Sequence, residues 1–402
     1  GLFAVDKKAL PIVVSSFLTS LSVGTIIPLL PFYARELNIS VGELGVIVGA
    51  IGVSRLLLNI PFGVLADRFG RKPLIVLGPV ASSVGMFGTA ACTGFWDLLW
   101  WRIVGGAAGS AQSAGSQLYM ADISTPANRA RTLGVNQTVF SVGMTAGPAL
   151  GGLMADAYGL RAPFLLMGGV TGAAALYTHY FVKETHHPKP EEREKLALGD
   201  VLKQWRHLLV LPNMQAITAI HTAVWLTGSG AQYTLLPLLA AERFGFTAGS
   251  GVGVLLGMMA GLGAACSPFA AWISDRYGRK QAIIPGCIGG AATIALVPYC
   301  TSPEQLFAVC AAWSASMSML GPAPTAFAVD SVREDQRAQA LALYRSSGDV
   351  GLVFGAAALS AVAEATSLDF AMETNAAMLC AAAAFFAARA TEPKLRPPNK
   401  VD

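Results

Sequence analysis

The sequence predicts an all-α membrane protein whose twelve transmembrane helices form two pseudo-symmetric six-helix bundles. Three observations predict this fold. Of the 402 residues, 53% are hydrophobic and only 13% are charged, whereas soluble domains carry about 25% charged residues. Many long runs lack Asp, Glu, Lys and Arg, and a span needs roughly 20 apolar residues to cross a bilayer. The second half of the chain also repeats the pattern of the first.

The uncharged runs place the spans along the chain. Arg55 interrupts one apolar stretch, and less clean runs follow Arg337 and Phe370. Counting them gives about twelve spans. The uncharged runs lie between Lys8 and Arg35, Lys72 and Asp97, Arg102 and Asp122, Arg131 and Asp156, Arg161 and Lys183, His207 and Glu242, Arg243 and Asp275, Lys280 and Glu304, and Glu304 and Asp330.

The basic residues between spans predict the orientation. Most of them fall on the side of both termini, and only Arg35, Arg161 and Arg243 fall on the other side. The positive-inside rule therefore places both termini on the cytoplasmic or equivalent inner side, which suits a bacterial inner membrane or an organellar membrane. Because the net charge of +4 is spread over these short clusters, it does not indicate a nucleic-acid partner.

The longest polar stretch, from Lys183 to about His207, divides the chain. We predict an N-terminal six-helix bundle over residues 1–183, a cytoplasmic linker over 184–210 and a C-terminal six-helix bundle over 211–402. The end of the linker, around Leu198 to Leu209, is either a simple tether or an amphipathic helix on the inner surface.

Internal repetition is the strongest organisational signal. Residues 67–72 (DRFGRK) match residues 275–280 (DRYGRK) at an offset of about 208 residues. At the same offset, Gly143 and Gly147 fall on Gly351 and Gly355. Parallel repeats of six spans place a substrate site near the membrane midplane between two halves, which rock about that site.

The loop from Gly63 to Lys72 (GVLADRFGRK) closely resembles the signature loop of the major facilitator superfamily, and the resemblance extends over nearly the whole chain. It implies a conformational latch, in which a carboxylate and an arginine at the span ends hold one conformation. The alternative is a mere topology anchor. The latch residues are Asp67, Arg71 and Asp122, with Asp275, Arg279 and Asp330 as a weaker counterpart.

The segment from Gly143 to Gly152 resembles the antiporter motif of the drug and metabolite antiporter branch of this superfamily. Glycines four residues apart form a groove that lets another helix approach closely, and a proline kinks the span at that contact. In this family the fifth span packs on the eighth and the second on the eleventh, so we expect sliding interfaces there. The helix-packing residues are Gly143, Gly147, Pro148, Gly151 and Gly152.

Four ionisable residues within the spans are candidates for proton coupling, because charges in hydrocarbon are costly unless paired or wetted. They are Arg55, Arg102, Arg345 and Asp349. Arg102 and the glycines after it resemble a family motif associated with proton coupling, although the arginine can instead snorkel to the outer surface.

Asp349 follows Arg345 by one helical turn, so the two share a helix face. At 1.5 Å rise per residue, Arg55 lies about 18 Å from Asp67 and Asp349 about 18 Å from Arg337, so they meet at similar depth. We therefore expect a cluster of Arg55, Arg345 and Asp349 near the midplane. The alternative is a static buried ion-pair network.

Polar residues at helical spacing are candidates for the substrate cavity, and most have interhelical packing as their alternative role. Three intramembrane arginines against one aspartate favour an anionic or neutral substrate. The candidates are Thr25, Gln112, Ser116, Tyr119, Asn136, His221, Trp225, Gln232, Tyr233 and Trp313.

The six cysteines show no CxxC or Cys/His metal spacing, so we interpret them as packing residues and expect neither metal nor cofactor. The chain has no phosphate-binding loop, which disfavours ATP drive. We expect a monomeric, non-enzymatic secondary active transporter whose partners are membrane lipid, a small solute and protons, most consistent with proton-coupled antiport. The alternatives are a facilitative or symporting metabolite carrier and a structural subunit of a larger membrane complex.

Overall fold

A computed structural model describes residues 9–124, 129–185 and 198–392. Over these residues, eight helices are each long and apolar enough to cross a membrane, and the pair Leu10–Ile26 and Leu30–Glu36, bent by 49°, makes nine. Phe95–Ile123, Ala162–Phe181 and the broken run that begins at Pro212 fill the remaining positions in a twelve-span order. The predicted all-α membrane fold is confirmed.

We number the spans in chain order. Spans 1 to 6 are Leu10–Ile26 with Leu30–Glu36, Val41–Phe69, Lys72–Ala90, Phe95–Ile123, Arg129–Tyr158 and Ala162–Phe181. Spans 7 to 12 are Pro212–Leu226 with Thr227–Leu235 and Leu236–Phe244, Ala248–Gly253 with Val254–Tyr277, Arg279–Leu296, Pro303–Ser318 with Pro322–Asp330, Arg337–Ala365 and Leu368–Arg389.

Spans 1, 7 and 10 are interrupted, and span 8 also begins as a π-helix over Ala248–Gly253. Span 1 breaks before Leu30, and Pro31 lies in the first turn of its second piece. Span 10 breaks at Gly321 and resumes with Pro322, because proline cannot continue a helix but suits its first turn. Span 7 widens into a π-helix over Thr227–Leu235. Such wide turns are frequent at functional sites.

The two bundles have the same internal packing. Span 1 packs on spans 5 and 6, and span 7 packs on spans 11 and 12. Span 3 packs on spans 4 and 6, and span 9 packs on spans 10 and 12. The bundles meet along two contacts, span 2 with span 11 and span 5 with span 8. We call these contacts the 2/11 seam and the 5/8 seam.

The loops after spans 2 and 8 are also repeated. Gly70 and Gly278 have φ of 98° and 109°, a conformation that favours glycine. At each glycine, a carboxylate that follows the last span of the same bundle accepts two backbone N–H bonds at the start of the next span. Glu184 accepts from residues 71 and 72 at 2.9 and 3.0 Å, and Glu392 accepts from residues 279 and 280 at 2.7 and 2.9 Å. Both carboxylates therefore cap a helix N-terminus.

A helix forms at Leu198–Leu208, where the sequence left open a tether or an amphipathic helix. We call it the surface helix. Trp205 and Leu208 pack on the apolar core of the second bundle. The side-chain amide of Gln215 in span 7 donates to the Leu209 carbonyl at 2.7 Å. The surface helix is thus fixed to the second bundle, while linker residues 186–197 lie outside the described residues.

The bundles are held together at one end. We call the end with Arg71 and Arg389 the terminal end, because the described chain starts and finishes there, and the opposite end the far end. At the far end, Gly152 lies against Gly249 and Arg35 pairs with Glu242 of the other bundle. At the terminal end, the described ion pairs of Arg71 and Arg279 stay within their own bundles.

Candidate functional site

An ion pair joins the two bundles in the middle of the 2/11 seam. Arg55 Nε of span 2 lies 3.1 Å from Asp349 Oδ1 of span 11. The Asn59 amide of span 2 donates to Asp349 Oδ2 at 2.8 Å. Asp349 is only 3% exposed, and both of its carboxylate oxygens have partners in the opposite bundle. Separating spans 2 and 11 would therefore remove the partners of a buried carboxylate.

Glycines on span 2 make this contact possible. A side-chain carbon at Gly49 would lie 2.7 Å from the Val353 carbonyl of span 11. A side-chain carbon at Gly52 would lie 3.0 Å from the carbonyl of Asp349 itself. Small residues let the two backbones approach closely, and that approach places Arg55 and Asn59 within reach of Asp349.

Aromatic residues of span 7 extend the site. The Arg55 guanidinium lies over the Trp225 ring, 5.8 Å from its centroid. The Trp225 indole N–H donates to His221 Nε2 at 3.0 Å, so that nitrogen is an acceptor and carries no proton. His221 Nδ1 lies 2.6 Å from the Tyr344 carbonyl and donates to it. The hydrogen bonds thus assign a neutral His221 protonated at Nδ1.

Arg345 does not join this cluster, contrary to the expectation from its spacing to Asp349. Its guanidinium donates to Gln117 Oε1 of span 4, in the other bundle. The amide of Gln117 in turn donates to Ser113 Oγ at 2.9 Å. Arg345 and Asp349 share a side of span 11, but the Arg345 side chain reaches across the space between the bundles to span 4.

Arg102 is buried rather than snorkelling. It is 6% exposed and donates to Thr89 Oγ1 at 3.1 Å, while its Nε has no hydrogen-bond partner among the described residues. Trp96 and Trp100 in the preceding turns are exposed, as expected for an interfacial aromatic belt. Arg102 is therefore a buried cation in the far half of the first bundle.

The predicted latch residues form two ion-pair groups at the terminal end. In the first, Arg71 pairs with Asp67 and, at 3.0 Å, with Asp122. Burial lowers the pKa of Arg71, but the hydrogen bonds to the two aspartates outweigh burial and raise it overall.

The second latch group is looser than the first. Arg279 pairs with Asp275, and its Nε lies 3.7 Å from Asp330, beyond hydrogen-bonding distance. The Arg279 side chain is 18% exposed, against 6% for Arg71. The two groups therefore keep the same residues at the same offset, with unequal packing.

The glycines of the antiporter motif divide between two neighbours. Gly143, Gly147 and Gly151 lie against the backbone of span 1, within their own bundle. Gly152 lies against Gly249 of span 8, and the Pro148 carbonyl lies near Gly253 of that span. Most of the groove that we expected at the sliding interface thus holds span 1.

The structure places the predicted cavity residues in three kinds of environment. Only His221 and Trp225 lie beside the Arg55–Asp349 pair. Tyr119 and Trp313 belong to the apolar cores of their bundles. The others are polar groups packed between helices or lying in the π-helix: Thr25 against Gly151, Gln112 donating to Ser15 Oγ at 3.2 Å, the buried Ser116 and the partly buried Asn136, and Gln232 and Tyr233 within the π-helix of span 7.

Sequence reasoning missed Asn59, Gln117, Glu184 and Glu392. Asn59 follows Arg55 by one helical turn, so it shares the helix face that meets Asp349. Glu184 and Glu392 are related by the same offset as the two signature loops. The sequence therefore contains a signal for Asn59 in the helical spacing and a signal for the two glutamates in the repeat offset.

Residues 12–356 and 248–402 match the family model described as the Major Facilitator Superfamily. The chain is 29% identical over 297 residues to the tetracycline resistance protein, class C, of Escherichia coli, covering 73% of this chain and 74% of that one. It is 29% identical over 245 residues to the quinolone resistance protein NorA of Staphylococcus aureus, covering 60% and 61%. The match thus spans less than two thirds of NorA.

Among solved structures, the fold is similar to a bacterial homolog of the human lysosomal transporter Spinster in an inward-facing and occupied conformation. The TM-score is 0.81, with 14% identity over 95% of this chain and 96% of that one. It is also similar to the human organic anion transporter MFSD10, with a TM-score of 0.68 and 18% identity over 94% and 99% of the two chains. At these identities the likeness concerns the fold alone.

Proposed function

Because this chain belongs to the Major Facilitator Superfamily, and is therefore a membrane transporter of small molecules rather than an enzyme, we propose that it exports a small organic molecule in exchange for protons. The observation that carries this proposal is the buried Asp349, whose partners Arg55 and Asn59 belong to the opposite bundle. An ionisable group between two moving bodies can link its own protonation to their movement.

The proposed cycle uses the ion pair as a switch. With Asp349 charged, its attraction to Arg55 holds spans 2 and 11 together. Protonation of Asp349 removes that attraction and lowers the free-energy cost of separating spans 2 and 11. A proton that enters from the far side and leaves on the terminal side would then drive one change of conformation in each cycle. Arg102 is the further candidate for proton coupling.

The moving units in this proposal are residues 1–183 and 211–402. We assign the terminal end to the cytoplasmic or equivalent inner side of a bacterial inner membrane or an organellar membrane. The present structure, held together at the far end, is then an inward-facing state of a monomer. In the opposite state the terminal end closes, and Arg71 and Arg279 with their aspartates are the candidates to latch it.

The proposed substrate is anionic or neutral. Arg345 is exposed, it faces the other bundle, and its partner Gln117 is uncharged. Asp349, the one fully buried carboxylate among the described residues, is already paired with Arg55. A substrate that enters between the bundles therefore meets an excess of positive charge. Two relatives add support for an organic substrate, since they are named for resistance to tetracycline and to quinolones.

The test is flux in proteoliposomes that contain a pH-sensitive dye, challenged with anionic, neutral and cationic compounds. We expect the wild-type protein to exchange protons for compounds of the anionic or neutral panel. Asp349→Asn should abolish proton movement. The matched control is Asp369→Asn, because Asp369 also pairs with an arginine, Arg243, but on an exposed surface.

Three results would contradict the proposal. Compound flux without proton movement in the wild-type protein would identify a facilitative carrier. Flux that is equal in wild type and Asp349→Asn would make the ion pair structural. Stoichiometric co-purification with partner proteins and no flux in any panel would instead favour a subunit of a larger complex.

A further inference from the structure

The second bundle carries a groove of about 700 Å³ on its outer flank. Spans 7, 11 and 12 form its walls, and span 2 contributes one residue across the seam. We call it the flank groove. Among the residues that the structure describes, its lining holds no charged residue, and it includes Leu56, Ala219, Leu343, Val350, Met378 and Phe385.

The flank groove faces the bilayer rather than the opening between the bundles. Met378 and Phe385 at its edge are each 40% exposed, and they belong to span 12, which packs on spans 7, 9 and 11 of its own bundle and so lies away from the other bundle. On span 11, Leu343 and Val350 lie on the side opposite Arg345, whose guanidinium reaches span 4. The groove is therefore separate from the proposed substrate path.

The terminal-end rim of the groove differs in chemistry from its walls. Trp205 and Leu209, from the surface helix and the residue after it, close this end. The indole N–H of Trp205 is buried and has no hydrogen-bond partner among the described residues. The Arg389 guanidinium lies over the ring of Phe385, 6.0 Å from its centroid, and Arg206 is in the last turn of the surface helix. A mostly apolar trough thus ends at an unsatisfied donor and the Arg389 guanidinium, and Arg206 is next to that donor in the sequence.

We propose that the flank groove binds one anionic phospholipid. An acyl chain would fill the trough, since its walls are uncharged and open to the bilayer. The phosphate would lie at the rim, accept a hydrogen bond from the Trp205 indole and face Arg389 and Arg206. This arrangement satisfies the buried donor and matches the cationic rim, because basic residues at the membrane surface attract anionic lipids.

The bound lipid would touch both bundles. Leu56 of span 2 is adjacent to Arg55, and Val350 of span 11 is adjacent to Asp349. An acyl chain lying across Leu56 and Val350 therefore adds apolar contact to the 2/11 seam in the present conformation. Separation of the seam would move Leu56 away from the groove and remove this contact, so the lipid should favour the state that is closed at the far end.

The experiment measures lipid binding to the full chain in detergent by native mass spectrometry, with phosphatidylglycerol and phosphatidylcholine of identical acyl chains. We expect wild type to prefer phosphatidylglycerol and Arg389→Gln to bind it about fivefold more weakly. Ala219→Trp fills the groove and should lower binding of both lipids. Should Ala219→Trp fold poorly, Met378→Trp at the groove edge replaces it.

The matched control is Arg276→Gln. Arg276 lies at the same end over the ring of Trp272, 5.5 Å from its centroid, but neither residue lines the groove. Phosphatidylglycerol with brominated acyl chains should also quench tryptophan fluorescence of the wild-type protein. The quenched part of the signal should be absent in Trp205→Phe. The proposal fails if both lipids bind wild type equally, if Arg276→Gln weakens binding as much as Arg389→Gln, or if the folded groove-filling variants bind lipid normally.

Discussion

The 2/11 and 5/8 seams have the same construction at the far end and different chemistry in the middle. Gly45 and Gly49 of span 2 correspond to Gly253 and Gly257 of span 8 at the repeat offset. In both seams these glycines face the partner span. Towards the middle, span 2 carries Arg55, whereas the 5/8 seam has small uncharged residues at the corresponding positions.

The substitutions that distinguish the seams are readable one by one. Gly263 occupies the position of Arg55, and Ser267 occupies that of Asn59. Opposite them, Ser141 of span 5 corresponds to Asp349. A repeated scaffold thus keeps its helix contacts in both copies and carries the ion pair in only one of them.

This difference teaches that close helix packing and charge are separable features of a seam. The middle of the 5/8 seam packs through glycines and small uncharged residues, with hydrogen bonds from Thr247 and Gly249 to Asp156 at its far end. By comparison, the 2/11 seam does not need an ion pair in its middle to assemble. Replacing a buried ion pair with apolar residues is often neutral or stabilising. We therefore expect the pair to contribute to the control of conformation more than to net stability, and the following predictions probe that distinction.

The largest effect is expected from Arg55→Leu. It leaves the buried Asp349 without its cation. Because the Arg55 side chain is 37% exposed and Asn59 remains as a partner, we expect a loss of about 2–3 kcal/mol, below the cost of breaking a fully buried pair. The double variant Arg55→Leu/Asp349→Leu should recover most of the lost stability and remain unable to move protons. The measurement is unfolding by denaturant in mixed micelles, together with proton flux in liposomes.

Arg243→Leu is the control for this comparison, because Arg243 pairs with an exposed Asp369 at 2.8 Å. A surface pair contributes about 1 kcal/mol or less. The prediction is wrong if Arg55→Leu and Arg243→Leu lose equal free energy of unfolding. It is also wrong if the double variant is as unstable as Arg55→Leu, because the unpaired buried carboxylate would then not be the cause of the loss.

An intermediate effect is expected where the seams are most alike. A carbon added at Gly49 would lie 2.7 Å from the Val353 carbonyl, whereas one added at Gly257 would lie 3.5 Å from the Ala149 side chain. Gly49→Ala should therefore destabilise the protein by about 1–3 kcal/mol through overpacking, and Gly257→Ala should be nearly neutral. Thermal unfolding of the two variants tests this, and a larger loss in Gly257→Ala would reverse the comparison.

The smallest effect extends the comparison to the capping carboxylates. Glu184→Gln and Glu392→Gln keep the side-chain shape but remove the charge near a helix N-terminus, which is expected to cost about 1 kcal/mol or less. Because Glu184 is partly buried and Glu392 is exposed, Glu184→Gln should have the larger effect. Thermal unfolding at low and high salt measures both losses, and an unchanged loss at high salt would exclude the electrostatic cause.

The fold could be predicted because a bilayer constrains what a sequence can do. Uncharged runs of span length and basic residues on one side of them follow from the cost of charge in hydrocarbon. The repeat offset then located the second bundle from the first. The approach of Arg55 to Asp349 followed from depth alone, since two helices of known direction place residues at calculable heights.

The orientation of each span about its own axis could not be predicted in the same way. Lipid is as apolar as a bundle interior, so a membrane helix does not show a polar side that marks its outer face. On span 4 we expected Gln112 and Ser116 at the cavity, whereas Gln117 is the residue that reaches Arg345. An error of one residue rotates the chosen side by about 100°.

The glycine seams have a thermal consequence. Ordering a side chain on burial costs conformational entropy, and glycine has no side chain to order. When the seams separate and rejoin, Gly49 and Gly253 contribute no rotamer entropy to either direction. At these contacts the two conformations can interconvert without freezing and releasing side chains, so side-chain entropy at the glycines should add little to the temperature dependence of the balance between them.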